Sequence, residues 1–233
     1  MNGFRHEIKL LITTADYMSL RPQLAALLPP DPNAGESGEY FIRSLYFDDV
    51  NRTSYFEKLA GVADRKKYRM RIYNCEDKVI KLECKEKRGD QIRKRSVSVP
   101  RACADAMCNG DFSLLRDIDN PLCKEVLSLA GGKGLKPSVV VDYDREAFLH
   151  PVSNVRLTFD KALHAGMESA DIFDDKLMSV PVFPDGSIIF EVKYDDVLPA
   201  FLRGIISGCH GRKLALSKFT LCRDELSRLK PKY

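Results

Sequence analysis

Hydrophobic and polar residues alternate with a period of two in eight short stretches of the chain. In "FRHEIKLLI" (4–12), Arg5, Glu7 and Lys9 alternate with His6, Ile8 and Leu10. "EYFIRSLYFD" (39–48) sets Ser44, Tyr46 and Asp48 against Phe41, Leu45 and Phe47. "YRMRIYN" (68–74) puts Arg69, Arg71 and Tyr73 in step, opposite Tyr68, Met70 and Ile72. "VIKLECKEK" (79–87) aligns Lys81, Glu83, Lys85 and Lys87 against Ile80, Leu82 and Cys84. "IRKRSVSV" (92–99) has Lys94, Ser96 and Ser98 in step, but Arg93 and Arg95 share the other face with Val97 and Val99, so its inner face stays open. "SVVVDYDREAF" (138–148) aligns Tyr143 with Arg145, "NVRLTFD" (154–160) aligns Arg156, Thr158 and Asp160, and "SIIFEVKY" (187–194) aligns Glu191 with Lys193. Alternate side chains of a strand share a face, so the pattern predicts about eight strands.

Helical spacing fills the gaps. "TADYMSLRPQLAALL" reads as a helix that Pro22 breaks or restarts. "DDVNRTSYFEKLAG" ends on a Gly61 cap. "PRACADAM", "NPLCKEVLSLAGG" and "LPAFLRGIISGC" read as three more, and "SKFTLCRDELSRLK" as a last one. The "GGKG" run (131–134) reads as a flexible connection, because it lacks the spacing of a phosphate-binding loop. No composition shift divides the chain, which is expected to be a single domain over residues 1–233.

Composition narrows the class. The 233 residues are 44% hydrophobic and 30% charged, enough for one sizeable core. No run approaches the roughly 20 apolar residues of a membrane-spanning helix, and "MNGFRHEIKL" lacks the apolar core of a signal peptide. Seven cysteines without C-x-x-C spacing suggest reduced thiols in a cytoplasmic protein. The four histidines form no zinc pattern, so any metal is expected to be a hard cation held by carboxylates. Net charge is only +4, but residues 65–95 carry Lys or Arg at roughly every second or third position.

Two readings of that charge remain open. A solvated outer face of an antiparallel sheet would show mixed signs and needs no function. A barrel closed with the charged faces inward would be a basic tunnel, with helices covering its apolar outside. Like charges in such a lumen are tolerable only with a polyanion to neutralise them, and arginine suits bidentate phosphate recognition. Nucleic acid is disfavoured, since aromatic platforms between the basic residues are sparse.

The ordered set of Arg5-x-Glu7-x-Lys9, "SLYFD" (44–48), "YRMRIY" (68–73), "LECKEK" with the following Lys94, "DREAF" around Arg145, "VRLTFD", "FEVKY" and "LSKF" resembles the polyphosphate polymerase, or VTC, domain. That family belongs to the triphosphate tunnel metalloenzymes. The resemblance implies an α+β fold, an antiparallel eight-stranded β-barrel with helices packed outside. It implies synthesis of inorganic polyphosphate from ATP, releasing ADP, with Mn²⁺ or Mg²⁺. The implied phosphate-binding set is Lys9, Arg69, Arg71, Lys85, Lys94, Arg145, Arg156, Lys193 and Lys218; Arg69, Arg71, Lys85, Arg145, Arg156 and Glu191 would carry catalysis. Glu191 would hold the metal, with Glu7 and Glu83 either supporting it or orienting lysines. Arg5 stands where the superfamily often has Glu, which suits a polymerase better than a two-carboxylate triphosphatase. The implied partners are ATP and polyphosphate, and coupling to a membrane would need a separate partner. A tunnel triphosphatase and a non-catalytic polyphosphate- or nucleotide-binding module are the competing readings. Tyr46 and Asp48 are expected to fix a strand-to-helix turn, and Arg65, Lys66 and Lys67 to be a solvated strand start.

Overall fold

The computed structural model describes residues 5–89, 91–151, 154–167, 169–213, 215 and 217–229. The eight expected strands all form: β1 (His6–Ile12), β2 (Glu39–Asp48), β3 (Arg65–Tyr73), β4 (Glu76–Arg88), β5 (Gln91–Ser98), β6 (Lys136–Leu149), β7 (Arg156–Gly166) and, after a short β8 (Ser179–Pro181), β9 (Ile188–Tyr194). A two-residue β10 (Arg212–Lys213) joins them. All pairings are antiparallel, in the order β10-β1-β9-β7-β6-β2-β3-β4-β5, with β8 on the side of β7.

The sheet rolls up. Its far strands, β1 and β5, meet at one bridge, where Arg5 and Ile92 exchange backbone hydrogen bonds of 2.9 and 3.1 Å. The expected eight-stranded barrel is therefore a curled ten-stranded sheet whose ladder is not closed. The extra strands are three and two residues long, too short to leave a periodic signal.

Six helices pack on this roll: α1 (Thr14–Leu27), α2 (Thr53–Leu59), α3 (Arg101–Cys108), α4 (Pro121–Lys133), α5 (Ala200–Ser207) and α6 (Lys218–Leu229). The Thr13 hydroxyl and Asp16 form a reciprocal cap at the start of α1, which runs through Pro22. The "GGKG" run is not a flexible connection: α4 continues to Lys133, and Gly134 ends it at φ 62, where an added Cβ would lie 2.8 Å from Val50.

Apolar strand faces meet these helices outside the roll. Met70, Ile72, Leu82 and Cys84 pack with Met107, Leu122 and Val126 of α3 and α4. Ile12, Leu157, Phe190 and Val192 pack with Leu20 and Leu24 of α1 and Leu202 of α5. Each such fully buried side chain contributes roughly 1.5–3 kcal/mol. The last helix behaves differently. Phe219 and Cys222 of α6 pack on Ile42, Tyr46, Val139, Val141 and Tyr143, which lie on the inner faces of β2 and β6. So α6 sits within the roll rather than outside it, and it delivers Lys218 to the interior. Among the described residues no helix is long and apolar enough to cross a membrane.

One outer ion pair ties a long connection to the sheet. Arg43 forks onto Asp142 at 2.9 to 3.1 Å, and its Nη1 donates to the carbonyls of Asp174 and Ile172. Their side chains are only 5% and 4% exposed. Asp142→Ala strands a buried guanidinium, so urea unfolding is expected to show a loss of about 3–5 kcal/mol.

Candidate functional site

The inner strand faces line one cavity of about 1320 Å³. β1 contributes Glu7 and Lys9, β3 Lys67, Arg69 and Arg71, β4 Lys85, β5 Lys94, β6 Arg145, β7 Arg156, and β9 Glu191 and Lys193. α6 adds Lys218. Register explains the convergence, because Lys9 lies opposite Glu191, Glu7 and Arg156 opposite Lys193, Arg69 opposite Glu83, and Lys85 opposite Lys94. All nine cations of the expected set are thus brought to one wall. Lys94 is on the inner side of β5; Arg93 and Arg95 face out, to Glu86 and Glu125.

Four carboxylates inside the roll each serve more than one cation. Glu191 receives Lys9 and Lys218 at 3.0 Å on one oxygen, and Lys193 at 3.0 Å on the other, with Arg145 at 3.9 Å. Glu7 accepts from Lys85 at 2.9 Å and lies 3.6 and 3.7 Å from Lys9 and Lys193. Glu83, which lies behind the wall, accepts from Arg69 at 2.7 and 2.8 Å and from Lys94 at 2.8 Å. Asp160 clasps Arg145 at 2.6 and 2.8 Å and also meets Lys218. Burial would raise the pKa of these carboxylates, but the cations outweigh it and hold all four below the usual carboxylate range.

Tyrosines organise the arginines. Arg69 donates to the Tyr46 hydroxyl at 2.8 Å, Arg71 to that of Tyr143 at 2.9 Å and to Ser44 at 3.1 Å, and Arg156 to that of Tyr40 at 2.6 Å. Arg156 also pairs with Asp31 at 2.5 Å, yet its buried Nε finds no partner. Tyr46 therefore orients a tunnel arginine instead of shaping a turn. Asp48 does fix the turn: its carboxylate accepts from the backbone of Asp49, Ser54 and Tyr55 at the start of α2.

The lysines divide into two kinds. Burial pulls Lys9 and Lys218 toward neutrality, but Glu191 with Glu7, and Asp160 with Glu191, keep their pKa above the ordinary value. Lys85 loses more to burial than Glu7 restores and falls from 10.5 to about 8. Lys67 falls furthest, from 10.5 to about 6, through burial and the nearby Lys85, Lys9, Arg65 and Lys58. Its ammonium has a hydrogen bond to Ser217 at 2.7 Å and lies 5.2 Å from the Phe219 ring centre.

Arg65 and Lys67, expected to be solvated, are therefore cavity residues. Their signal was present: they continue the every-second-residue series of Arg69 and Arg71. Lys66, on the opposite face, does pair at the surface with Glu125. Asp160 carried no assigned role, and a lone acid in an alternating strand offers no sign that it will clasp an arginine.

Metal fit is conditional. Among the described residues no group of three or more His, Cys, Asp or Glu could hold an ion. Glu191 and Glu7 both reach Lys9 and Lys193, so they border a common space, but their oxygens already meet ammonium groups. Magnesium-like ions commonly take one or two carboxylates and complete their shell with substrate phosphates. These residues suit an ion that arrives with a triphosphate, not one resident beforehand.

Comparisons with known proteins agree with this architecture. The model of the VTC domain family matches residues 4–226. HpAC1 from Hippeastrum, an adenylyl cyclase candidate with a dominant triphosphatase activity, superposes with a TM-score of 0.59 at 14% identity, covering 95% of this chain and 96% of its own. An adenylate cyclase candidate from Bacillus halodurans gives 0.49 at 13% identity over 89% and 88% of the chains. A Pyrococcus horikoshii protein gives 0.48 at 11% over 95% and 99%. The HpAC1 likeness shows a shared fold. No curated protein matches the chain at a significant level.

The Lys67 environment has a testable sign. Between pH 6 and 10.5 the unfolded chain holds the Lys67 proton and the folded chain does not. Lys67 should thus make stability rise with pH through that window, by at most about 1.4 kcal/mol per pH unit. Chemical denaturation of ligand-free protein at pH 6 to 9 should show this rise, and Lys67→Met should flatten it.

Proposed function

We propose that this chain, which belongs to the VTC domain family, makes inorganic polyphosphate from ATP and releases ADP inside the rolled sheet. One observation carries the reading: nine basic side chains from seven strands and α6 converge on a single cavity, where they outnumber the carboxylates. A surface-charged sheet would spread them into water. Here the roll holds, beside the apolar patch that α6 fills, more cations than carboxylates, and an anionic ligand would offset the excess.

In this reading Arg69, Arg71, Lys9, Lys193 and Lys218 grip the triphosphate, with Arg145 and Arg156 steadied by Asp160 and Asp31. Phosphoryl transfer depends mainly on positioning and charge neutralisation. The guanidiniums, pre-set by Tyr46, Tyr143 and Ser44, meet charge developing on the transferred group without reorganising. The attacking group is the terminal phosphate of the chain, already ionised near neutral pH, so no general base is needed. A divalent ion on Glu191, with Glu7 beside it, would supply Lewis-acid neutralisation of the phosphate oxygens. A cytoplasmic, reducing setting would keep the seven free cysteines as thiols.

The triphosphatase reading requires a base to activate water. Glu7, Glu83 and Glu191 are each held below the usual carboxylate range by their cations, which makes them weak bases. That holds for the ligand-free protein; an intact cation set favours polymerisation or hydrolysis over a binding module, and the products made from ATP separate the two.

Incubating purified protein with ATP and Mn²⁺ and resolving the products by gel separates these readings. Long chains support the polymerase, free phosphate the hydrolase, and neither a binding module. Arg71→Ala is expected to lower kcat by about 10²–10³-fold, as for loss of one pre-set transition-state donor. Glu191→Gln should abolish turnover yet still bind tripolyphosphate, and full activity in that variant removes Glu191 from the metal role.

A further inference from the structure

Four basic side chains on the cavity wall stand apart from the network just described; one of them, Lys67, is largely uncharged near pH 7 in the empty protein and would take up a proton with an incoming anion. Lys58 comes from α2, Arg65 and Lys67 from β3, and Lys87 from β4. Arg65 lies opposite Lys87 in the ladder, and Lys67 opposite Lys85. Among the described residues none of the four has a carboxylate within ion-pair distance, although the charge of Glu57 acts on Arg65. Lys67 donates to Ser217, and Arg65 to the Val62 carbonyl.

This differs in kind from the rest of the wall. Lys9, Lys193 and Lys218 share an ion pair with Glu191 in the free protein, and Arg69 and Lys94 share Glu83. The outlying group lacks such partners: burial and like-charge neighbours lower the pKa of Lys58 and Lys67, and burial lowers that of Arg65. Holding them together costs stability in the empty protein, so the arrangement is explained by something anionic that enters this part of the cavity.

The cluster also lies in a definite direction. Along β3, Lys67 is one inward position beyond Arg69 and Arg65 one beyond that, each step about 7 Å. A triphosphate seated on Arg69, Arg71 and Lys9 leaves these positions for whatever is attached to its end. We propose that Lys58, Arg65, Lys67 and Lys87 form a second anion subsite that grips a polyphosphate chain beyond its terminal three phosphates. Affinity then grows with chain length, and a growing product is retained between additions. The inference rests on the polyphosphate reading of the cavity.

Its test needs only inorganic ligands. Calorimetric titration of tripolyphosphate and of a long polyphosphate chain into wild type and into Lys58→Ala/Lys67→Met/Lys87→Ala compares the two parts of the wall. The variant should bind tripolyphosphate within about twofold of wild type, and its log K against log salt slope for the long chain should fall by roughly 0.7 per lysine removed. Equal loss for both ligands would make the cluster a diffuse field, and no loss for either would make it irrelevant; each overturns the subsite. Ligand-free thermal melting should leave the variant at or above the wild type, since repulsion has been removed. If the triple variant does not fold, Lys58→Glu and Lys87→Glu, made singly, serve the same comparison. Length-dependent binding with only free phosphate made from ATP keeps the subsite and sinks the polymerase. Chain synthesis with undiminished length preference in the variants does the reverse.

Discussion

Confinement of like charge is the constraint on which the structure depends. The apolar faces of the main strands are taken by the helices, so the charged faces have nowhere to go but inward. Once inside, the cations cannot be dispersed by solvent, and every buried carboxylate is shared. Glu191 alone stands among Lys9, Lys193, Lys218 and Arg145. Removing such a hub would leave ammonium groups uncompensated in a poorly solvated space. Stability and site are consequently the same set of interactions seen from two sides.

That sharing also decides which side chains remain open to a ligand. Arg145 is clasped at two nitrogens by Asp160, so it resembles a fixed post more than a mobile clamp. Arg156 keeps an unpartnered Nε despite its bond to Asp31. Arg71 uses only hydroxyl partners at hydrogen-bond distance, with Glu83 as far away as 3.9 Å. The arginine that keeps most charge to spare is thus Arg71, which a phosphate oxygen can approach without displacing a tight carboxylate, whereas Arg156 is held by Asp31.

Much of this was legible in the amino-acid order because strand alternation is a local signal. It put Arg69 with Arg71, Lys85 with Glu83, and Glu191 with Lys193 on common faces, and the rolled sheet keeps those pairings. What it could not supply was the third dimension. The inward position of α6 follows from Phe219 stacking on Tyr46, a contact between residues far apart in the chain. Asp160 as the partner of Arg145 depends on the β6–β7 register, which no single strand encodes. Lys67 was lost for another reason: a basic triplet, Arg65-Lys66-Lys67, looks like surface composition, although period two divides it between the two faces.

The tied carboxylates bear on how a metal and a triphosphate would meet here. In the empty roll the oxygens of Glu191 are occupied by Lys9, Lys218 and Lys193. Under the proposed function, phosphate oxygens draw those same ammonium groups away, and lone pairs on Glu191 become free at the moment the anion arrives. The carboxylate is then available to a divalent ion only when the phosphates that complete its shell are present. Each ligand raises the affinity for the other, because both compete with one internal set of ion pairs, and such coupling is reciprocal. Under the same reading, acids dispersed among lysines, as Glu7 and Glu191 are, become metal ligands together with the phosphates they release the lysines to bind.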